Sequence, residues 1–273
     1  MKPSTRYVVF GSARVRVRTE GTGAPLLLLM GIGGHLDMWQ PLAEQLHGRQ
    51  LVMFDFPGTG ESTLPWFPPT MANAALFVRG LMRRLGLRRA DVLGYSWGGL
   101  LAQQLAAQHA GTVRKLVLAC TSLGALAIPS GLRVTARLLT PRRYHAPGYL
   151  AAIAPETFGG KFRRDPALVD AEAARRMSHP PSWWGYALQL IAAGTFSTFP
   201  LAPLIRHPTL ILAGGDDPMV KTLNQHILHR VLPNSELRIL ENAGHLLLLD
   251  SPETSARIIM SFLEEAAHTA ARR

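Results

Sequence analysis

The chain has 273 residues, of which 47% are apolar, so it can bury one sizeable core, and disorder as its main state is excluded. It carries 29 basic and 18 acidic residues, a formal net charge of +11. The arginines are scattered and form no basic block with interleaved aromatic residues, which argues against a nucleic-acid partner and favours a solvated basic surface.

The sequence contains no segment typical of membrane insertion or export. The apolar run Leu26–Met30 is far shorter than the roughly 20 residues that cross a bilayer, and residues 1–10 lack the apolar region of a secretory signal. The single cysteine, Cys120, excludes an intramolecular disulfide and a multi-cysteine metal site, and it ends an apolar run where a buried thiol is expected. We therefore expect a cytoplasmic protein without a transmembrane segment.

Strands and helices are predicted to alternate through the first half of the chain. Tyr7–Phe10 and Ala13–Thr19 alternate apolar and polar residues, which predicts an antiparallel hairpin. Leu26–Met30 and Leu51–Phe54 are continuously apolar, as in strands that are buried on both faces of a sheet. Helical spacing follows each of these two strands, over Leu36–Leu46 and over residues 74–85.

The same alternation continues from Ala90, with one interruption. Between about Leu126 and Arg206 the sequence is rich in Pro, Arg, Ala and aromatic residues, with helical patches but no buried strand. The other predicted segments are the strand that ends at Gly94, a helix through His109, the strands Val113–Cys120, Thr209–Ala213 and Glu236–Leu240, and the helices Val220–Val231 and Ala256–Ala267.

Buried strands that alternate with helices predict an α/β fold with a mostly parallel central sheet and helices on both faces, because parallel strands need crossover connections. Residues 1–125 and 207–273 are predicted to form this core. Residues 126–206 are predicted to be a helical lid or cap over the carboxyl ends of the strands, where open α/β sheets carry their ligand sites.

A glycine-flanked serine, Ser96, lies between a predicted strand and a predicted helix. Gly94 and Gly98 give the G-x-S-x-G spacing, and both positions of such a sharp turn require the absence of a side chain. A serine hydroxyl is a poor nucleophile near neutral pH unless a base removes its proton and a third group orients that base. The chain must therefore supply a histidine and a carboxylate at the same edge of the sheet.

Two later strand ends supply these groups. Thr209–Ala213 is followed by Asp216 and Asp217, and Glu236–Leu240 is followed by His245, which gives the order nucleophile, acid, histidine. We predict Ser96, Asp217 and His245 as a catalytic triad, with Asp216 as the alternative acid.

The expected oxyanion donors are the backbone NH groups of Trp97 and Ile32. His35 lies near the predicted site and is a candidate for substrate contact. His226 and His229 have H-x-x-H spacing, but the sequence offers no third ligand in register, so we predict a surface helix and no metal site. The predicted chemistry requires no cofactor.

Apolar residues of the predicted lid form a candidate acyl-chain pocket. A lid core and a substrate pocket explain them equally well at this stage. The residues are Trp183, Trp184, Tyr186, Leu188 and Phe196.

From about Tyr7 to Glu264 the chain resembles the α/β-hydrolase superfamily, and within it the intracellular polyhydroxyalkanoate depolymerases that act on medium-chain-length polyesters. The resemblance implies a Ser-Asp-His triad at the positions given above, a lid over the substrate, and cleavage of 3-hydroxyacyl esters at storage granules in the cytoplasm. The motifs that carry it are Ser96–Gln104, Thr140–Tyr144, Phe158–Pro166 and Leu212–Pro218.

Two other functions remain open from the sequence. A small-molecule carboxylesterase or lactonase would use the same triad, and a non-catalytic ligand receptor could use the same scaffold. The triad predicts an ester substrate, the resemblance implies a polyester with a granule surface as a further partner, and the oligomeric state stays open.

Overall fold

The computed structural model of the chain describes residues 4–10 and 13–265. The strands are β1 Ser4–Phe10, β2 Ala13–Glu20, β3 Ala24–Leu29, β4 Arg49–Phe54, β5 Ala90–Tyr95, β6 Val113–Ala119, β7 Thr209–Gly214 and β8 Ser235–Leu240. The α-helices are α1 Gln40–Ala43, α2 Met71–Arg84, α3 Trp97–Gln108, α4 Leu132–Leu138, α5 Pro147–Phe158, α6 Pro166–Ser178, α7 Trp183–Gly194, α8 Thr222–Val231, α9 Leu247–Asp250 and α10 Pro252–Glu264.

The strands form one sheet in the order β1-β2-β4-β3-β5-β6-β7-β8. The pairs β1/β2 and β2/β4 are antiparallel, and the other neighbouring pairs are parallel. The prediction of a mostly parallel sheet with an antiparallel hairpin at one edge is therefore confirmed. β5, which precedes Ser96, lies near the middle of the sheet and is buried along its whole length.

Hydrophobic cores lie on both faces of the sheet. Successive residues of β3 point to opposite faces, so Leu27 and Leu29 pack with α2 and α3 while Leu26 and Leu28 pack with α1, α9 and α10. A strand that is covered on both faces must be apolar at every position, which explains the continuous leucine run. In the described part of the chain, no helix has the length and apolar character needed to span a membrane.

The segment between β6 and β7 contains α4 to α7, and we call residues 126–206 the helical insertion. It contacts turns that follow several parallel strands. The Ser182 NH donates to the Gly58 carbonyl after β4 at 3.2 Å, and the Gly160 NH donates to Asp216 after β7 at 2.8 Å. The insertion therefore lies against the carboxyl ends of the strands.

Two helix predictions differ from the structure. The segment 36–46 forms a short 3-10 helix, Leu36–Trp39, and then only one α-helical turn, because Pro41 has no NH to continue the earlier hydrogen-bond pattern. The last helix begins at Pro252, four residues before the predicted start, since the fixed φ of proline suits the first turn of a helix. The predicted end of that helix, residues 266 and 267, lies outside the described residues.

Candidate active site

Ser96 occupies a strained turn between β5 and α3. Its φ of 53° and ψ of −116° lie in a region that few residues other than glycine adopt. The turn is possible because its neighbours lack side chains: a Cβ on Gly98 would lie 2.0 Å from the Leu29 carbonyl oxygen, and one on Gly94 would lie 2.4 Å from the Gly98 oxygen. The strain holds the hydroxyl of Ser96 above the end of the sheet, at the start of α3.

The structure brings Ser96, His245 and Asp217 together. His245 Nε2 lies 3.1 Å from Ser96 Oγ, and His245 Nδ1 lies 2.8 Å from Asp217 Oδ2. Asp217 Oδ1 accepts hydrogen bonds from the NH groups of Met219 and Val220 at 2.8 and 2.9 Å. These amides fix the carboxylate, the carboxylate orients the imidazole, and the free Nε2 faces the serine hydroxyl.

Asp216, the alternative acid, points away from His245. Its carboxylate forms an ion pair with Arg163 at 2.8 Å and accepts a hydrogen bond from the Gly160 NH. Partial burial would raise the pKa of Asp216, but the hydrogen bonds from Arg163 and Gly160 outweigh burial and hold that pKa below its usual value. Asp216 therefore joins the turn after β7 to the helical insertion.

The backbone of His245 is held from both sides. Its NH donates to the Phe158 carbonyl at the end of α5 at 2.7 Å, and its carbonyl accepts from the Tyr95 hydroxyl at 3.1 Å. Tyr95 directly precedes Ser96 and is buried, and this burial raises the pKa of its hydroxyl well above the usual value, so the hydroxyl stays a donor. The position of the histidine thus depends on both the core and the insertion.

The two expected oxyanion donors flank Ser96. Ile32 follows Gly31, where a Cβ would lie 3.4 Å from the Ser96 Cβ, and Trp97 directly follows the serine at the first position of α3. Across the described residues, neither backbone NH donates a hydrogen bond to a protein group. Both amides are therefore available to an oxygen atom that develops negative charge beside Ser96.

The helical insertion holds the loop that carries Ile32. Gln189, which is buried in α7, accepts a hydrogen bond from the Gly33 NH through Oε1 at 2.7 Å, and its carbonyl accepts one from the indole of Trp97 at 2.8 Å. The Tyr144 hydroxyl donates to the Ile32 carbonyl at 2.6 Å. A single buried glutamine thus connects both expected oxyanion segments to α7, a role that its isolated position in the sequence did not suggest.

Two cavities open at Ser96. The empty space of the first is about 310 Å³ and that of the second about 550 Å³, and both figures include space that is open to solvent. The first is lined by Met30, Gly31, Ile32, Met38, Tyr95, Ser96, Arg143, Tyr144, Phe158, Arg176, Met219, His245 and Leu246. The second is lined by Ile32, Ser96, Trp97, Leu100, Thr121, Ser122, Leu138, Tyr186, Leu190, Ala193, Met219 and Val220.

One face of α7 lines the second cavity. Tyr186, Leu190 and Ala193 are spaced by four and three residues, so they lie on the same side of the helix. Of the proposed pocket residues, only Tyr186 belongs to this face. Helical periodicity in α7 could have identified Leu190 and Ala193, but the sequence does not say which face of the helix meets the sheet.

The other proposed pocket residues lie elsewhere, and their assignment to the Ser96 pocket is corrected. Trp183 and Trp184 are 58% and 73% exposed, because they start α7 at the outer surface. Leu188 lines a separate apolar cavity behind the Trp97 side chain, and Phe196 is buried in the hydrophobic core beside α3. These residues contribute to the surface or to packing, and they do not line either cavity at Ser96.

His35 is fully buried but does not line the cavities at Ser96, so its proposed contact with substrate is also corrected. Its Nε2 lies 2.9 Å from the Arg175 carbonyl of α6, and its Nδ1 lies 3.4 Å from Asp37. Asp37 and His179 complete a cluster of three possible metal ligands. Arg16 and Arg18 form ion pairs with Asp37 at 2.8 and 2.5 Å, and these cations oppose metal binding there.

Cys120 lies beside Asp217 and His245, and its Sγ is within 4.8 Å of the possible ligand atoms of both residues. Burial raises the pKa of the Cys120 thiol well above its usual value, and the negative charge of Asp217 adds to this effect. A neutral, fully buried thiol is neither a good metal ligand nor a good nucleophile. His226 and His229 belong to α8, and no third potential ligand of the described residues joins them.

Comparison with known proteins adds a family relationship. Residues 24–252 match the family model for the alpha/beta hydrolase fold. The chain is 38% identical to a poly(3-hydroxyalkanoate) depolymerase of Ectopseudomonas oleovorans over 242 residues, which cover 88% of this chain and 84% of that protein. It is also 26% identical to a putative carbamate hydrolase of Azorhizobium caulinodans, over 95% of this chain and 98% of that protein.

Among solved structures, the enol-lactonase of Burkholderia xenovorans superimposes with a TM-score of 0.82. The superposition covers 95% of this chain and 100% of the lactonase, at 24% sequence identity. At that level of identity the likeness concerns the fold alone.

Proposed function

The chain belongs to the α/β-hydrolase fold family, and from this premise we propose that it cleaves carboxylic ester bonds with Ser96, His245 and Asp217 as its catalytic triad. The observation that carries the proposal is the continuous set of contacts from Ser96 Oγ through the imidazole of His245 to Asp217, at 3.1 and 2.8 Å. These are the distances over which a serine hydroxyl can transfer its proton to a histidine base.

In the proposed reaction, Ser96 Oγ attacks the ester carbonyl while His245 Nε2 takes the hydroxyl proton. The NH groups of Ile32 and Trp97 stabilise the oxyanion, and Asp217 stabilises the cationic imidazole. The carbon–oxygen bond to the alcohol then breaks, and His245 returns the proton to that alcohol. Water attacks the acyl-enzyme in a second cycle of the same groups and releases the acid.

We further propose that the ester belongs to a polyester of 3-hydroxyalkanoates. The support is the 38% identity to a poly(3-hydroxyalkanoate) depolymerase along most of both chains. A chain with a net charge of +11 would also be attracted to an anionic particle surface, so docking to a storage granule in the cytoplasm belongs to the same proposal.

A small-molecule esterase or lactonase is the second candidate. The two cavities at Ser96, of about 310 and 550 Å³, are bounded on several sides by the helical insertion. A confined space beside Ser96 suits one small ester, whereas a polymer chain must pass beneath or beside the insertion, which would then act as a lid.

One experiment tests both candidates. Release of 3-hydroxy acids from medium-chain and short-chain polyester particles is compared with hydrolysis of p-nitrophenyl octanoate. We expect release from the medium-chain polymer and hydrolysis of the small ester. Turnover of the small ester together with inert polymer would favour the second candidate.

The control is Ser96→Ala, which should lower the turnover of every ester by about 10⁴-fold or more because the triad acts as a unit. Labelling by a fluorophosphonate should disappear in the same variant. A variant that keeps near wild-type turnover would overturn the assignment of Ser96. Wild-type protein that binds esters but neither hydrolyses them nor reacts with the probe would be a receptor rather than an enzyme.

A further inference from the structure

A buried arginine without an acidic partner lines the first cavity at Ser96. Arg143 lies in a 3-10 turn of the helical insertion, Pro141–Tyr144, and only 1% of its surface is exposed. Its Nη1 donates to the Tyr186 hydroxyl at 2.7 Å and to the Thr140 carbonyl at 3.3 Å. Its Nε has no hydrogen-bond acceptor among the described residues.

No carboxylate of the described residues lies within 4 Å of the Arg143 guanidinium. The rings of Tyr144 and Tyr186, whose centroids are 4.9 and 5.2 Å from its Cζ, supply only the weaker attraction of a cation to aromatic faces. Arginine keeps its positive charge in proteins, and an unpaired buried charge is costly. The fold therefore maintains a cation here that nothing in the protein neutralises.

Arg176 provides an internal comparison, because it is equally buried and lines the same cavity. Its Nε donates to Glu172 at 2.7 Å, and Glu172 is itself fully buried. Glu172 pairs with Arg176, and also with Arg175 at 3.2 Å, whereas no carboxylate of the described residues pairs with Arg143. The wall of the cavity, which Ser96 and His245 also line, therefore carries an excess positive charge.

We propose that Arg143 binds the carboxylate of the substrate, so that the preferred ester is one whose alcohol portion is a hydroxy acid with a free carboxyl end. This inference rests on the proposed esterase function of Ser96 and extends it to the class of substrate. Nη2 of the guanidinium has no protein acceptor and, unlike Nε, is not enclosed by protein, so it is the donor that remains for a carboxylate.

The chemistry of a linear 3-hydroxyalkanoate ester fits this arrangement. At the carboxyl end of such a chain, the terminal unit is both the alcohol of the last ester bond and the bearer of the carboxylate. With its carboxylate at Arg143 and the rest of that unit at the mouth of the first cavity, Ser96 attacks the preceding carbonyl and His245 protonates the leaving hydroxy acid. The acyl portion, with its alkyl side chain, then lies towards the apolar second cavity, which Leu190 and Ala193 line.

The test compares the linear dimer of 3-hydroxyoctanoate with its terminal carboxamide, which has the same shape but no charge. We expect the wild-type protein to prefer the free acid. Arg143→Gln should lower kcat/KM for the acid by about 100-fold, as for loss of a buried charged partner, and leave the amide nearly unchanged. Arg143→Lys, which keeps the charge, should restore part of the preference, and Arg142→Gln, at the exposed neighbouring position, should change neither rate.

A second measurement does not depend on the folding of any variant. Octanoate should inhibit wild-type hydrolysis of p-nitrophenyl octanoate competitively and far more strongly than octanamide does. Equal inhibition by the two compounds, or a wild-type protein that cleaves the amide dimer as fast as the acid, would overturn the carboxylate site. In that case the wild-type protein would still hydrolyse neutral esters. If the esterase proposal itself is wrong, the wild-type protein will hydrolyse no ester and Ser96 will not be labelled.

Discussion

The strand ends of the core and the helical insertion contribute to the site in different ways. Ser96, Asp217 and His245 each follow a parallel strand within a few residues, so the sheet itself determines where they meet. The insertion contributes to the walls of the cavities. It also holds the backbone of His245 and the Gly31–Gly33 loop, which we call the oxyanion loop after its proposed role. In the proposed reaction, the core provides the reacting groups and the insertion bounds the space that the substrate must enter.

The largest expected effect is a difference in kcat between variants of two adjacent carboxylates of the core. Asp217→Asn should lower kcat by about 10⁴-fold, because an amide cannot hold the imidazole in the correct tautomer or stabilise its cation. Asp216→Asn removes only a half-exposed ion pair to Arg163 in the insertion and should leave kcat nearly unchanged. Steady-state kinetics with p-nitrophenyl octanoate measure both.

The two variants are matched in chemistry and differ by one position in the chain. The reverse ranking of their rates would move the catalytic acid to Asp216 and would contradict the 2.8 Å contact between Asp217 and His245. Equal losses would mean that the contact between Asp216 and the insertion is as important for the reaction as the triad itself. The reacting groups would then not belong to the core alone.

The core could be predicted from the sequence because its determinants are local. A leucine run such as Leu26–Leu29 predicts a strand buried on both faces, and the glycines around Ser96 predict the turn that the structure contains. The order serine, aspartate, histidine then follows from the residues that come after β5, β7 and β8. Each of these signals lies within a few residues of the feature it specifies.

The walls of the site could not be predicted in this way. Trp183, Trp184, Leu188 and Phe196 have the composition of a pocket, but helix docking decides which of them face Ser96. His35 is close to the site in sequence, yet its ring points towards α6 and Asp37. Side-chain direction in the insertion is set by contacts between segments that are far apart in the chain, and hydrophobicity alone does not encode them.

A smaller effect on kcat should result from a change at Gln189, through which the insertion contacts the Gly33 NH of the core. Gln189→Leu removes the acceptor of the Gly33 NH and leaves that buried donor unpaired. Because the proposed role of the Ile32 NH is to stabilise the oxyanion only in the transition state, we expect kcat to fall by about 10-fold with KM nearly unchanged. Gln189 is thus a positioning residue that acts through the loop.

Thr198→Val is the matched control for Gln189→Leu. It removes another buried hydrogen bond between the insertion region and α3, from the Thr198 hydroxyl to Gln103 at 2.7 Å, without touching the oxyanion loop. Both variants should lower the melting temperature by a few degrees, as loss of about 1 kcal/mol does in a chain of this size. If kcat falls equally in both, general loosening of the insertion explains the result and Gln189 has no specific role.

The smallest effect should come from the two exposed tryptophans of the insertion. Trp183 and Trp184 lie outside both cavities at Ser96, so Trp183→Ala and Trp184→Ala should leave kcat/KM for p-nitrophenyl octanoate close to the wild-type value. Surface substitutions also change stability by roughly 0.5 kcal/mol or less. The same variants are then assayed on polyester particles. A loss of activity on particles alone would mean that these indole rings contact the polymer surface rather than the acyl chain. A large loss of activity on the small ester would instead mean that the insertion closes over Ser96 during turnover and brings the two tryptophans to the site.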